Sequence, residues 1–197
     1  MMRLPYVPNP PEFENPADQA VLHRVQERRG ERGLLKLDLA LLHSPPVADG
    51  WNSFIGAIRQ RTSLPTSVRE LAICRVAVLN KAWYEWKSHS PILREAGDLD
   101  EEAIQEILNS PPTGHDAVAS SSSTSKLPDL YRIVMAFTDA STVDVAVPHA
   151  VFDRLKAYFT DREIVEITAT VAAYNCVSRF LVALDIGEQN GQPKPDS

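Results

Sequence analysis

Apolar residues recur along this chain at intervals of three and four, and no segment alternates with period two for long, so the predicted fold class is all-α. "PADQAVLHRVQERRG" reads as a helix from near Pro16 to Gly30. "GLLKLDLALLHSP" comes next with Leu34, Leu35, Leu37, Leu39, Leu41 and Leu42 at helical spacing, and stops at Ser44-Pro45-Pro46. "VADGWNSFIGAIRQRT" is a third, short helix. Residues 64–95 form the most hydrophobic stretch, long and helical, with a break at Asn80-Lys81. "GDLDEEAIQEILNS" is a further helix: Gly97 ends its predecessor, Asp100 is its N-cap, and Leu99 and Ile104 form a hydrophobic staple. "LPDLYRIVMAFTDAS" and "PHAVFDRLKAYF" are two more, the second opening with Pro148 near its first turn. "TDREIVEITATVAAYNCVSRFLVALDIG" ends at Gly187.

Between these lie segments without periodicity. Residues 1–16 hold five prolines and are predicted to form an extended arm against the surface. Residues 109–126 are rich in Ser and Pro and read as a flexible loop, and 188–197 as a frayed polar tail. At 197 residues the whole chain, 1–197, is expected to be one domain. "SVREL" (67–71) and "TDREI" (160–164) share a Ser/Thr-x-Arg-Glu-apolar pattern, and each opens an apolar helix that reaches an Asn, Asn80 and Asn175. This suggests a repeated helical hairpin about a pseudo-twofold.

Charge narrows the partners. A net charge of -6 argues against nucleic acid or an anionic membrane. No run approaches the roughly 20 consecutive apolar residues of a membrane helix. The proline-broken start lacks an apolar signal core, so a cytoplasmic address is expected. Cys74 and Cys176 form no CxxC, and each is expected to be a free buried thiol rather than half of a disulfide.

The apolar stretch carries chemistry that a plain core does not need: Glu70, Glu85 and His89, with Trp83, Tyr84 and Trp86 among them. Glu85 and His89, four residues apart, share a helix face. A carboxylate beside an imidazole orients it and raises its basicity, while aromatic neighbours lower the local polarity and move both groups toward proton-transfer range. A break near Asn80 would let Glu70 fold back to the same spot. Each feature also has a structural reading. Ser67-x-x-Glu70 is a capping box, mirrored by Thr160 and Glu163, and spacing favours that role for Glu70. Glu85 and His89 fit a solvated i,i+4 pair. The oxygen-rich set of Glu70, Glu85 and His89 is a poor metal site, and nothing distinguishes Lys81 or Lys87 from solvated lysines.

"LPTSVRELAICRVAVLNKAWYEWKSHSPILREAGDLDEEAIQEIL" (64–108) resembles the carboxymuconolactone decarboxylase family, within the alkylhydroperoxidase D-like superfamily, and "AAYNCVSRFLVAL" (172–184) is similar to a second block of such proteins. In the peroxidase branch the Glu is followed by a cysteine pair and a His. Counted from Glu70 those positions hold Ala82, Glu85 and His89, so Glu and His are kept and both cysteines are lost. Dithiol chemistry needs two thiols. The resemblance is therefore to the branch without the CxxC cysteines, and the second half, where the count from Glu163 gives Asn175, Ser178 and Val182, is a scaffold repeat. The resemblance implies an all-helical alkylhydroperoxidase D-like bundle, a homo-oligomer (trimer or hexamer), and decarboxylation with no metal or organic cofactor.

Two main functions are compatible with these residues, and behind them stands a third, a redox protein using Cys74 or Cys176 with a partner's thiol. In the first the chain is a cofactor-independent, decarboxylase-like lyase acting on a small carboxylic acid or lactone. His89 is the proton donor and acceptor, Glu85 orients it, Glu70 is a relay or second acid, and Trp83, Tyr84 and Trp86 line the substrate pocket. Arg75 or Arg179 would meet a substrate carboxylate. In the second the chain is a non-catalytic small-molecule-binding or structural oligomer on the same scaffold, with Glu85 and His89 exposed or paired only structurally and no cavity beside them.

Overall fold

The computed structural model of the chain describes residues 2–112 and 125–195, and those residues contain helices and no strand. Most of the serine-rich 109–126 segment lies outside the described residues. The helices are α1 (Pro16–Arg29), α2 (Lys36–Leu41), α3 (Pro45–Gln60), α4 (Thr66–Leu79), α5 (Trp83–Ala96), α6 (Glu101–Asn109), α7 (Asp129–Val143), α8 (His149–Lys156) and α9 (Asp161–Leu184), with a 3-10 turn at Gly30–Arg32. Pro45 and Pro46 do not separate two helices. They form the first turn of α3, which is 16 residues long rather than short, because proline at a helix start forfeits only an N–H that has no intrahelical partner.

α4 is the centre of the fold, packed against α5, α6, α7 and α9. Residues 67, 68 and 70–77 of it are buried, as expected for a helix apolar on all sides. The way α4 ends sets the direction of α5. Asn80 caps α4 and Lys81 adopts the left-handed conformation, φ 55°. The Ala82 N–H bonds the Ala77 carbonyl at 2.8 Å and the Lys81 N–H bonds that of Val78 at 3.1 Å. This is a Schellman turn with lysine in the usual glycine place, and it reverses the chain so that α5 runs back along α4. Gly97 (φ 77°) ends α5, and the Asp100 side chain accepts from the Ala103 N–H to start α6, with Leu99 and Ile104 buried beside it.

α4 and α9, the helices opened by the two related sequences, pack on each other. α9 is capped by Thr160 and Glu163 in a reciprocal capping box. It continues past Asn175 to Leu184, where α4 stops at Asn80. It is long and apolar enough to cross a membrane, yet half of that apolar window is buried inside the protein. A smaller core joins α1, α2 and α3 through Val21, Leu22, Val25, Leu41, Leu42 and Ala48.

The N-terminal arm lies across α2 and the end of α9: the Arg3 N–H bonds the Leu184 carbonyl and the Val7 N–H that of Leu39. The tail beyond Gly187 is anchored rather than frayed. Glu188 accepts from Lys36 and from the Tyr6 hydroxyl, and Asn190 donates to the Val182 carbonyl at 2.7 Å.

Candidate functional site

A small cleft of about 60 Å³, open to solvent, lies where α1, α3, α5 and α9 meet. Each helix contributes one face. α3 supplies Trp51, Ile55 and Arg59 at four-residue steps, α5 supplies Tyr84, Glu85, Ser88 and His89, α9 supplies Tyr174, Val177 and Leu181, and the last turn of α1 brings Arg28 and Arg29.

The turn after α4 sets Glu70 and His89 level on adjacent helices. Nδ1 of His89 lies 2.6 Å from Oε2 of Glu70, with the two side chains 7% and 1% exposed. A carboxylate only accepts, so Nδ1–H is the donor. Oε1 of Glu70 accepts from Nε of Arg69 at 3.2 Å. Burial pulls His89 below its ordinary value, the Glu70 bond opposing it in part. Burial alone would raise Glu70, but its bond and proximity to His89, with Arg59 and Arg69 nearby, bring it below the ordinary value. The pair is therefore a carboxylate bonded to a neutral imidazole. The lone pair of Nε2 faces the Tyr174 hydroxyl at 3.4 Å, and the two rings meet edge-on, centroids 5.1 Å apart. Burial raises the Tyr174 phenol far above its ordinary value, keeping it protonated.

Glu85 does not orient His89. Its Oε1 accepts from the Ser178 hydroxyl at 3.0 Å, and its buried Oε2 has no partner among the described residues. Burial pushes the carboxyl well above the ordinary range, the Ser178 bond offsetting part of that rise. The reason is geometric. Residues four apart on α5 share a face, but the neighbouring helices offer each a better partner, Glu70 from α4 and Ser178 from α9. Glu70 is correspondingly no cap. α4 begins at Thr66, and the Ser67 hydroxyl pairs with the Tyr131 hydroxyl at 2.9 Å.

Of the aromatic residues expected to line the pocket, Tyr84 does so, whereas Trp83 and Trp86 are packed into the main core. Trp51 forms the aromatic wall instead. The arginines also differ. Arg75 is fully buried, bonded to both oxygens of Asp139 at 2.5 and 2.9 Å and to the carbonyls of Ile107, Ser110 and Pro111. Arg179 bonds the backbone and side chain of Asn175. The cleft's cations are Arg28, Arg29 and Arg59. Asp38 neutralises Arg29 through two 2.7 Å bonds. Arg28 bonds the Asn52 side chain and lies 3.9 Å from Asp38. Burial, then the charge of Arg29, pulls Arg28 below its ordinary value. Arg59 is half-buried and makes no hydrogen bond or ion pair among the described residues. The sequence signal for it was the Trp51-Ile55-Arg59 spacing, a charge in line with an apolar stripe on α3.

No thiol enters the site. Cys176 is exposed on α9, not buried as expected. Cys74 is buried, and burial together with the nearby Glu70 and Glu85 raises its thiol well above the ordinary value. An apolar, uncharged thiol of this kind is a poor nucleophile.

Residues 45–119 match the sequence pattern of the carboxymuconolactone decarboxylase (CMD) family. No curated protein matches the chain. Among solved structures it is similar to an uncharacterized peroxidase-related protein from Silicibacter sp. TM1040, with a TM-score of 0.70 at 15% identity over 97% of this chain and 95% of that one. It is equally similar, TM-score 0.70 at 17% identity over 94% and 90%, to an alkylhydroperoxidase AhpD-core, peroxidase-related protein from Ralstonia eutropha JMP134. The debrominase Bmp8 superposes with a TM-score of 0.64 at 17% identity over 87% and 85%. At such identities the likeness establishes the fold: an alkylhydroperoxidase D-like helical bundle.

Proposed function

We propose that this chain, which belongs to the carboxymuconolactone decarboxylase and alkylhydroperoxidase D-like superfamily, is a cofactor-independent acid–base enzyme of the lyase type, acting on a small carboxylic acid or lactone. The observation that carries this reading is the Glu70–His89 pair, buried at 2.6 Å beside an open cleft. Glu70 is a positioning residue: it fixes the tautomer whose Nε2 lone pair, facing the Tyr174 hydroxyl, is the proton acceptor. The unpaired Arg59 is placed to receive a carboxylate.

The chemistry needs an electron sink in the substrate. A carboxylate β or vinylogous to a carbonyl breaks its C–C bond, the electron pair moves to the carbonyl oxygen as an enolate, and CO2 leaves. The entering anion favours the imidazolium, so Nε2 acquires a solvent proton and delivers it to carbon. A positioned acid–base group of this kind contributes about 10²–10⁴-fold in rate. The non-catalytic alternative calls for Glu85 and His89 to be exposed or paired only structurally, with no cavity beside them. The cleft beside His89 favours catalysis.

The test is a panel of small oxidised carboxylic acids and lactones, scored for CO2 release. His89→Ala is expected to abolish turnover while circular dichroism and assembly stay unchanged. Turnover of a confirmed substrate by His89→Ala would refute the role.

A further inference from the structure

The acid–base pair accounts for Glu70 and His89 but not for Glu85. That side chain is 2% exposed, forms part of the cleft wall, and has one oxygen satisfied by Ser178 and the other by nothing among the described residues. Leaving a buried polar group unsatisfied is costly. We propose that Glu85 is a neutral carboxylic acid whose free O–H is reserved for a ligand oxygen that becomes negative, the carbonyl oxygen of an enolisable ketone, lactone or enone. The inference rests on the acid–base reading of the same cleft and extends it to the group that receives the displaced electron pair.

The surroundings fit a donor better than an anion. Glu85 occupies the first turn of α5, where the helix dipole favours a carboxylate. Desolvation acts in the opposite sense and prevails: burial holds the carboxyl far above the ordinary range. Among the described residues no cation bonds it: Arg69 pairs with Glu70 and Arg29 with Asp38. With Ser178 donating to Oε1, the proton resides on Oε2. The last torsion of a glutamate is broad, so a small rotation turns that O–H toward a ligand in the cleft. The proton remains on Glu85 throughout. The electron pair released by C–C cleavage comes to rest on the substrate oxygen that Glu85 holds, and His89 supplies the proton that goes to carbon. Donors fixed before the reaction at the site of developing charge are worth about 10²–10³-fold in rate each.

Substituted phenols are the probe, because a phenolate imitates an enolate and its absorption reports ionisation. The wild-type protein is expected to bind them as phenolates. Glu85→Ala is expected to weaken that binding about 10–100-fold, the worth of a hydrogen bond to a charged group. Glu85→Gln, which keeps a donor, is expected to lose less. His89→Gln is expected to retain the Glu85-dependent part of the binding. Phenolate affinity indifferent to Glu85 overturns the inference and leaves the acid–base reading standing. Phenolate binding that needs Glu85 alongside turnover that survives His89→Ala does the reverse. Should the Glu85 variants fail to fold, infrared spectra of the wild type decide: a protonated-carboxyl C=O band that shifts when phenolate binds supports the proposal, and the absence of such a band at neutral pH overturns it.

Discussion

Asn80 donates from Nδ2 to Oδ1 of Asn175 at 3.1 Å, joining the C-cap of α4 to the middle of α9. Asn175 is fully engaged: its Nδ2 donates to the Thr142 hydroxyl and the Val171 carbonyl, both at 3.0 Å, and Oδ1 also accepts from Arg179 at 2.8 Å. One buried amide thus links α4, α7 and α9. Asn175→Leu leaves its partners stranded and is expected to lower stability by about 1–3 kcal/mol, measured by urea denaturation. The cleft's acid–base pair is carried on the two helices joined by the turn at Asn80, so substrate affinity should fall with it. An unchanged midpoint would show that the network is dispensable.

Arg59 is the cleft's uncommitted cation. Arg59→Ala is expected to raise KM, lowering kcat/KM about 10–100-fold, the value of a charge-assisted bond to a carboxylate. Thermal stability should hold or rise, since a cation is removed from beside Arg28 and Arg29. Arg59→Lys should recover only part, lacking the planar fork. A loss confined to kcat would move Arg59 from binding into the chemical step.

The titrating groups pull stability in opposite directions. For Glu85, raised by burial above its ordinary 4.5, the folded state keeps a proton that the unfolded state releases. Stability therefore falls as pH rises from about 4.5 to the folded value, by up to about 1.36 kcal/mol per pH unit. Glu85→Gln removes that slope, so its stability relative to wild type should grow with pH above 4.5. Equal pH profiles for the two proteins would mean Glu85 is ionised when folded.

His89 and Glu70 act on the acid side. His89 is depressed below 6.5, so the unfolded state takes up its proton first, and stability declines as pH falls from 6.5 toward the folded value. Glu70, depressed below 4.5, adds stability above 4.5 that is lost as pH falls through its folded value. The variant His89→Gln should lack the upper part of this decline, read from melting temperature against pH.

Gly187 has φ 78°, and a Cβ there would lie 2.2 Å from Cδ2 of the Tyr84 ring. Gly187→Ala is expected to lose about 1–2 kcal/mol from the backbone alone, and to displace Tyr84 from the cleft wall. The readouts are a lower melting temperature and a changed KM. A variant that melts like wild type and keeps its KM would show that the tail is not coupled to the cleft.

Local features were legible because local chemistry decides them. The Asn80-Lys81 break, the Leu99–Ile104 staple, Asp100 and the Thr160–Glu163 box all act within a few residues. Glu70, Glu85 and His89 were recognised, but their pairing was not. Spacing on one helix says which side chains share a face, whereas their partners here come from α4 and α9. The similar motifs at Glu70 and Glu163 illustrate the limit. Glu163 is half-buried at the start of α9 and caps it, while Glu70 lies within a helix enclosed on all sides, and burial turned the same local sequence to another use. Arg28, Arg29 and Trp51 were invisible for the same reason, since only the docking of α1 and α3 brings them to the cleft.

The fate of the two thiols carries a consequence for how such a catalyst is maintained. A centre built on sulfur is spent by oxidation and must be reset by an electron donor before it can act again. Here Cys74 is sealed in the interior and Cys176 sits outside the cleft, so the proposed proton chemistry leaves the protein ready after each cycle, equally at work in aerated buffer and under reductant.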